Sequence, residues 1–133
     1  MRRGKIRNRI VGGFVALPIE MMDSPAYHKL KGAAVKVLLL LMRKVKTHNP
    51  AERYDYQFPF TFPEAKRKGI PHSTFNRALT QLIELGFIDV VSIGGMRYEG
   101  KSFSYYKLSK RWKDYGTPVF EQRWRGHCES VHG

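Results

Sequence analysis

Cysteine is all but missing from this chain. Cys128 stands alone, which excludes an internal disulfide framework and fits a reducing compartment. Acidic residues are scarce too: eleven Asp and Glu face twenty-four Lys and Arg, 24 − 11 = +13. Long hydrophobic runs are lacking. The longest, Ala33 to Met42, already contains Lys36 and is too short to cross a bilayer, so no membrane partner is expected. The basic start resembles the first part of a signal peptide, but Ile10 to Pro18 is only weakly apolar and no small-x-small cleavage pattern precedes Glu20. No signal peptide is therefore expected, and the expected location is cytoplasmic, on the nucleoid if the source is bacterial. There is no internal repeat, no phosphate-cradling glycine loop and no HExxH, and the carboxylates are scattered. Neither enzymatic activity nor a cofactor is expected. His127, Cys128 and His132 offer at most three ligands without a second pair, so no metal site is expected either.

What remains is one domain with a strong positive charge. A chain of 133 residues can bury roughly two-thirds of its unfolded surface without a staple. An excess of thirteen cations repels itself in a compact monomer and makes best sense with a polyanion as partner. The residues divide into a basic arm and extended lead-in (1–23), a folded unit (24–112) and a C-terminal extension (113–133). Residues 1–9 carry five basic residues and no acid, the composition of a solvated arm. Ser24-Pro25 is a helix start, hydroxyl cap before first-turn proline. From there Leu30, Ala34, Val37, Leu41 and Val45 recur at helical spacing, predicting a helix to about Lys46 with a weak point at Gly32. Arg43, Lys44, Lys46 and His48 crowd its end, where cations suit the helix dipole. His48-Asn49-Pro50 opens a polar loop to Asp55.

Tyr56 to Phe60 reads as a short strand, with Pro59 confining it to an edge. Thr61-Phe62-Pro63-Glu64 fits a capping box and starts a short helix through Lys68, stopped by Gly69. Pro71 opens a helix with Phe75, Leu79, Leu82 and Ile83 on one side, ending at Gly86. Residues 88–93 and 103–108 are β-branched and aromatic runs joined by a long glycine-containing tip. After Trp112 the pattern fades. Val119 to Trp124 suggests one short element, and the extension either pairs two subunits through a helix or seals the core with Trp112 and Trp124.

Helix, short strand, short helix, tight turn, helix, hairpin is the layout of a winged helix-turn-helix, and residues 61–108 resemble that superfamily. Ala65 sits where two helices must touch, Gly69 follows at the turn, Ile70 plugs the junction, and Phe75 begins the buried side of the second helix. Leu82-Ile83-Glu84-Leu85-Gly86-Phe87-Ile88 is similar to the family's exit from recognition helix into wing. The resemblance implies an α+β fold with a small three-stranded antiparallel sheet, a three-helix core and a basic N-terminal arm. It also implies double-stranded DNA as the partner. The lead-in, the Ser-Pro start and the leucine-rich helix are similar to those of small phage- or plasmid-type replication proteins and of bacterial transcription regulators. A regulator would bind a palindrome as a homodimer, whereas an initiator module would bind repeated sites.

The periodicity of the second helix independently defines what it offers. With Phe75, Leu79, Leu82 and Ile83 turned inward, Ser73, Thr74, Asn76, Arg77, Thr80 and Gln81 point away, and His72 opens the same helix. A major groove about 12 Å wide admits such a helix: Arg77 suits guanine, Asn76 or Gln81 suits adenine, and Ser73 or Thr74 suits phosphate or base. Lys66, Arg67 and Lys68 on the preceding helix, with Arg97, Tyr98 and Lys101 on the hairpin tip, are the expected phosphate and wing contacts. Two departures stand out. Pro71 replaces the usual capping Ser or Thr, so Ser73 or another group must satisfy the helix start, and Glu99 on the wing repels phosphate. Two rivals follow from the same residues: a protein-interaction winged helix, and an RNA-binding module that stacks bases on Tyr98, Tyr105 and Tyr106.

Overall fold

The computed structural model describes residues 11–47, 49–93 and 104–126. They form an α+β unit of six α-helices and a three-stranded antiparallel sheet. In chain order these are α1 (Ile19–Met22), α2 (Pro25–His28), α3 (Gly32–Met42), α4 (Pro50–Arg53), β1 (Phe58–Pro59), α5 (Phe62–Arg67), α6 (His72–Glu84), β2 (Ile88–Ser92) and β3 (Tyr105–Leu108). A 3-10 turn, Arg111–Asp114, follows.

Local signals explain most of these boundaries. The Ser24 hydroxyl accepts from the Tyr27 N–H at 3.2 Å and donates to the Met21 carbonyl at 2.7 Å, joining α1 to α2. At Thr61 the capping box is complete, with the Glu64 carboxylate accepting from the Thr61 N–H. Gly69 has φ +84° and Gly86 φ +93°, conformations that stop α5 and α6 and that L side chains resist. At Gly86 the backbone also passes so close to its neighbour that a Cβ would lie 2.6 Å from the Trp112 nitrogen.

Four expectations need correction. The lead-in expected to be extended ends in a helix, α1. The helix predicted from Ser24 to about Lys46 is two helices, α2 and α3, ending at Met42, with Lys29 to Lys31 between them, directly before the weak point expected at Gly32. Gln81 on α6 holds the break open: its Oε1 accepts from the Lys31 N–H at 2.9 Å and its Nε2 donates to the Lys29 carbonyl at 3.0 Å. The polar loop before Asp55 contains α4, started by Asn49, whose Oδ1 accepts from the Ala51 N–H at 2.8 Å. Asn-Pro there acts as Ser-Pro does at α2, a polar cap followed by a first-turn proline. Finally, residues 119–124 form no regular element.

The sheet runs β1-β3-β2, so β1 is an edge, as its proline requires. Phe58 pairs with Tyr106, and Ile88 with Leu108. Between Val90 and Ser92 the register shifts, a bulge that bends β2 where it leaves the sheet. The core lies between α3, α6 and the sheet. Val37, Leu38 and Leu41 meet Leu79, Leu82 and Ile83, while Phe58, Phe87 and Trp112 fill the sheet side. Each such side chain contributes about 1.5–3 kcal/mol on burial. Trp112 stacks on Phe87, with 6.3 Å between rings, and seals the core. Trp124 does not, being 58% exposed.

Candidate nucleic-acid interface

α6 is the amphipathic element around which the candidate site is built. Phe75, Ala78, Leu79, Leu82 and Ile83 are buried. His72, Ser73, Arg77 and Glu84 are exposed, and Thr74, Asn76, Thr80 and Gln81 are half-covered. The inward and outward sets therefore separate much as the periodicity predicts, but the outward residues do not share one environment.

At the start of α6, Pro71 occupies the N-cap and, among the described residues, no side chain caps the helix. Ser73 does not do so, contrary to expectation. The first-turn amides, which have no intrahelical acceptors, are left without a side-chain partner. His72 sets its ring edge-on to Phe62 at 4.7 Å and faces the Asn76 amide, Nδ2 to Nδ1 at 3.3 Å. Asn76 is also held from the other side: Arg125 donates to its Oδ1 at 3.1 Å and to its carbonyl at 3.3 Å. One hydrogen on Nδ2 and one lone pair on Oδ1 remain for a ligand.

Further along, the outward residues split. Thr74, Arg77, Thr80 and Glu84 border an open cleft of about 520 Å³ between α6 and the N-terminal turn of α3, where Lys31 and Ala33 form the opposite wall. Gln81 also reaches this cleft, with its amide bonded to Lys31 and Lys29 and, like that of Asn76, keeping one hydrogen and one lone pair. Its observed work is architectural, coupling α6 to the α2–α3 junction.

The C-terminal end of α6 is tied by a guanidinium that sequence reasoning missed. Arg111 donates from Nη2 to the carbonyls of Ile83 (2.7 Å) and Ile88 (3.2 Å), from Nε to Asp89 (2.8 Å), and from Nη1 to the Glu121 carbonyl (2.9 Å). A cation here meets the negative end of the helix dipole. Asp89, only 6% exposed, also pairs with Arg123 at 3.3 Å. Gln122 donates to the Glu84 carbonyl at 3.4 Å. Arg111, Arg123 and Arg125 thus draw residues 121–125 against α6 and β2. Only one cue was available in the sequence, a lone acid in the apolar run Ile88-Asp89-Val90-Val91.

In the block before α6, Lys66, Arg67 and Lys68 are all exposed. Nearby, burial alone would raise the Glu64 pKa, but the hydrogen bond and charge of Lys44 (2.7 Å), helped by Thr61, hold it below its ordinary value. Arg97, Tyr98, Glu99 and Lys101, the arm of residues 1–9, and His127, Cys128 and His132 lie outside the described residues. Tyr105 and Tyr106 are not presented together for stacking. Tyr105 is exposed, whereas burial of Tyr106 raises its phenol pKa against the lowering effects of Arg125 and a hydrogen bond from Ser104. Among the described residues, no helix is long and apolar enough to cross a membrane. No protein-family model, curated protein or solved structure matches the chain.

Proposed function

We propose that this domain is a winged helix-turn-helix that binds double-stranded DNA with α6 in the major groove. The order α3, α4, β1, α5, α6, β2, β3 supports the reading: helix, one added helical turn, short strand, two helices about a tight turn, then two antiparallel strands. The observation that carries it is the outward side of α6, where Ser73 and Arg77 stand exposed beside uncapped first-turn amides. This side holds no acid before Glu84, and Lys66, Arg67 and Lys68 precede it. Helix-terminal amides and cations attract phosphate, while an arginine fork reads the O6 and N7 edge of guanine.

Within this reading Arg77 is the principal base contact. Ser73, Thr74 and Thr80 anchor or read beside it, His72 and Arg125 orient Asn76, and Gln81 sets the angle of α6 and keeps one hydrogen and one lone pair for a base. The wing residues Arg97, Tyr98 and Lys101 would add backbone or minor-groove contacts. A transcription regulator and a phage- or plasmid-type replication protein both fit. Footprints on a palindrome would favour a regulator acting as a dimer, and footprints on tandem repeats would favour an initiator.

Selection from random duplexes at near-physiological salt is the direct test, and an enriched motif is the expected result. Arg77→Ala should then weaken the selected site by about 1–3 kcal/mol, while Lys66→Ala should weaken all duplexes alike and lower the salt slope by about one. Wild-type affinity in both variants would sink the reading in favour of a protein partner docking on α6.

A further inference from the structure

A second concave surface lies away from the cleft beside α6, where the C-terminal ends of α3 and α5 converge. It encloses about 230 Å³, the space of roughly seven or eight waters at about 30 Å³ each. Its walls carry Arg43, Lys44 and Lys46 from the end of α3, and Glu64, Arg67 and Lys68 from α5. Five cations and one carboxylate leave four net positive charges around one small volume. Lys44 and Glu64 satisfy each other at 2.7 Å, with the Lys44 ammonium 6.0 Å from the Phe60 ring. Arg43, Lys46, Arg67 and Lys68 are all exposed.

Helix dipoles account for only part of this crowding. Arg43 and Lys68 are the C-caps of α3 and α5, and two helix ends supply at most about one unit of negative charge. About three positive charges are left uncompensated, an arrangement that an anion relieves. Two guanidinium forks flanked by two ammoniums suit a tetrahedral oxyanion, because arginine offers paired donors and lysine a point charge.

We infer that this pocket binds a phosphate group, and that its occupant is a backbone phosphate of the duplex held by α6. The assignment of the occupant rests on the proposed function. Its basis is distance along the chain: Lys68 precedes His72 by four residues, so their Cα atoms are at most about 14 Å apart. That span is comparable with the width of about 12 Å of the groove that α6 would enter. A phosphate at the groove's rim therefore lies within reach of the pocket. Arg43 and Lys46, which the sequence assigned to the helix dipole alone, become nucleic-acid contacts.

Two measurements on the full chain decide the matter. Titration with inorganic phosphate at constant ionic strength, with chloride as reference, should give saturable NMR shifts in the amides of residues 43–46 and 66–69. R67Q should abolish those shifts in residues 43–46. In the second measurement, R43Q and K46Q should each reduce the slope of log affinity for duplex DNA against log salt, by no more than about 0.9 when combined, the share of one phosphate, with sequence preference unchanged. Saturable phosphate binding with unchanged slopes would overturn the backbone assignment and identify a free phosphate compound as the occupant. Reduced slopes without saturable binding would overturn the pocket in favour of diffuse attraction. If neither effect appears while Arg77→Ala still impairs binding, this inference fails and the reading of α6 survives. If the parent binds no duplex, the reading of α6 and the backbone occupant fail together, and the phosphate titration alone then upholds or overturns the pocket.

Discussion

Gly69 and Gly86 share a positive φ yet differ in what surrounds them. Nothing lies within 4 Å of a Cβ built at Gly69, whereas one at Gly86 meets the Trp112 backbone. Gly69→Ala should therefore cost only the left-handed conformation, about 1–2 kcal/mol. Gly86→Ala adds an overlap between two backbone segments and should cost about 2–5 kcal/mol. Urea denaturation of the two variants checks the ordering, and equal losses would mean that the close approach carries no weight. Asp89→Ala should be similarly severe, about 3–5 kcal/mol, because it leaves Arg111 and Arg123 facing each other without their shared carboxylate. The same residues show what a sequence can reveal. Ser24-Pro25 and Thr61 to Glu64 were readable because each cap and its partner lie within a few positions. Gln81 finds Lys31 fifty residues away, Arg53 finds the Ala16 carbonyl thirty-seven away, and Arg111 finds Asp89 twenty-two away. Apart from the lone acid Asp89 in its apolar run, composition and periodicity carry no trace of such pairings.

At the scale of elements, periodicity identified α6 and its buried side correctly but not how its other side is used. Apolar spacing says which residues leave solvent, whereas the uses of polar residues depend on neighbours that only the fold brings near. Likewise the apolar spacing that starts at Leu30 does not show that α2 has already ended there; Gly32, the expected weak point, opens α3 after the break. Gln81→Ala should lower stability by about 1–2 kcal/mol through loss of the α6 connection to that break. Its melting temperature should fall whether or not DNA is present. α5 carries a pH dependence as well. Glu64 titrates below its ordinary value in the folded chain, so its contribution is fully present above the unfolded value of 4.5 and declines as pH falls through the lower folded value. Melting curves between pH 6 and pH 3 should show that Glu64→Gln lowers stability near neutrality and flattens the acid limb. An unchanged limb would remove Glu64 from the account.

For the whole molecule, thirteen excess positive charges dominate behaviour in solution. With about six phosphate contacts, affinity for duplex DNA should drop by roughly 10³ between 50 and 200 mM salt. A weak salt dependence would count against a nucleic-acid partner of any kind. The charge was the plainest message in the sequence, because it needs only counting. Its distribution was not, since Arg111, Arg123 and Arg125 are drawn into internal bonds while Arg43 and Lys46 come to stand beside Arg67 and Lys68.

Mutual repulsion keeps such chains apart only while they remain unneutralised, and a polyanion removes that protection as it binds. The short edge strand β1 supplies another. Pro59 has no amide hydrogen, so the β1 edge of the sheet cannot zip continuously onto a second copy. If a nucleic acid is the partner, molecules crowded along it would sit close together without pairing through β1. Replacing that proline should cause precipitation selectively at charge balance, where the wild-type protein stays dispersed.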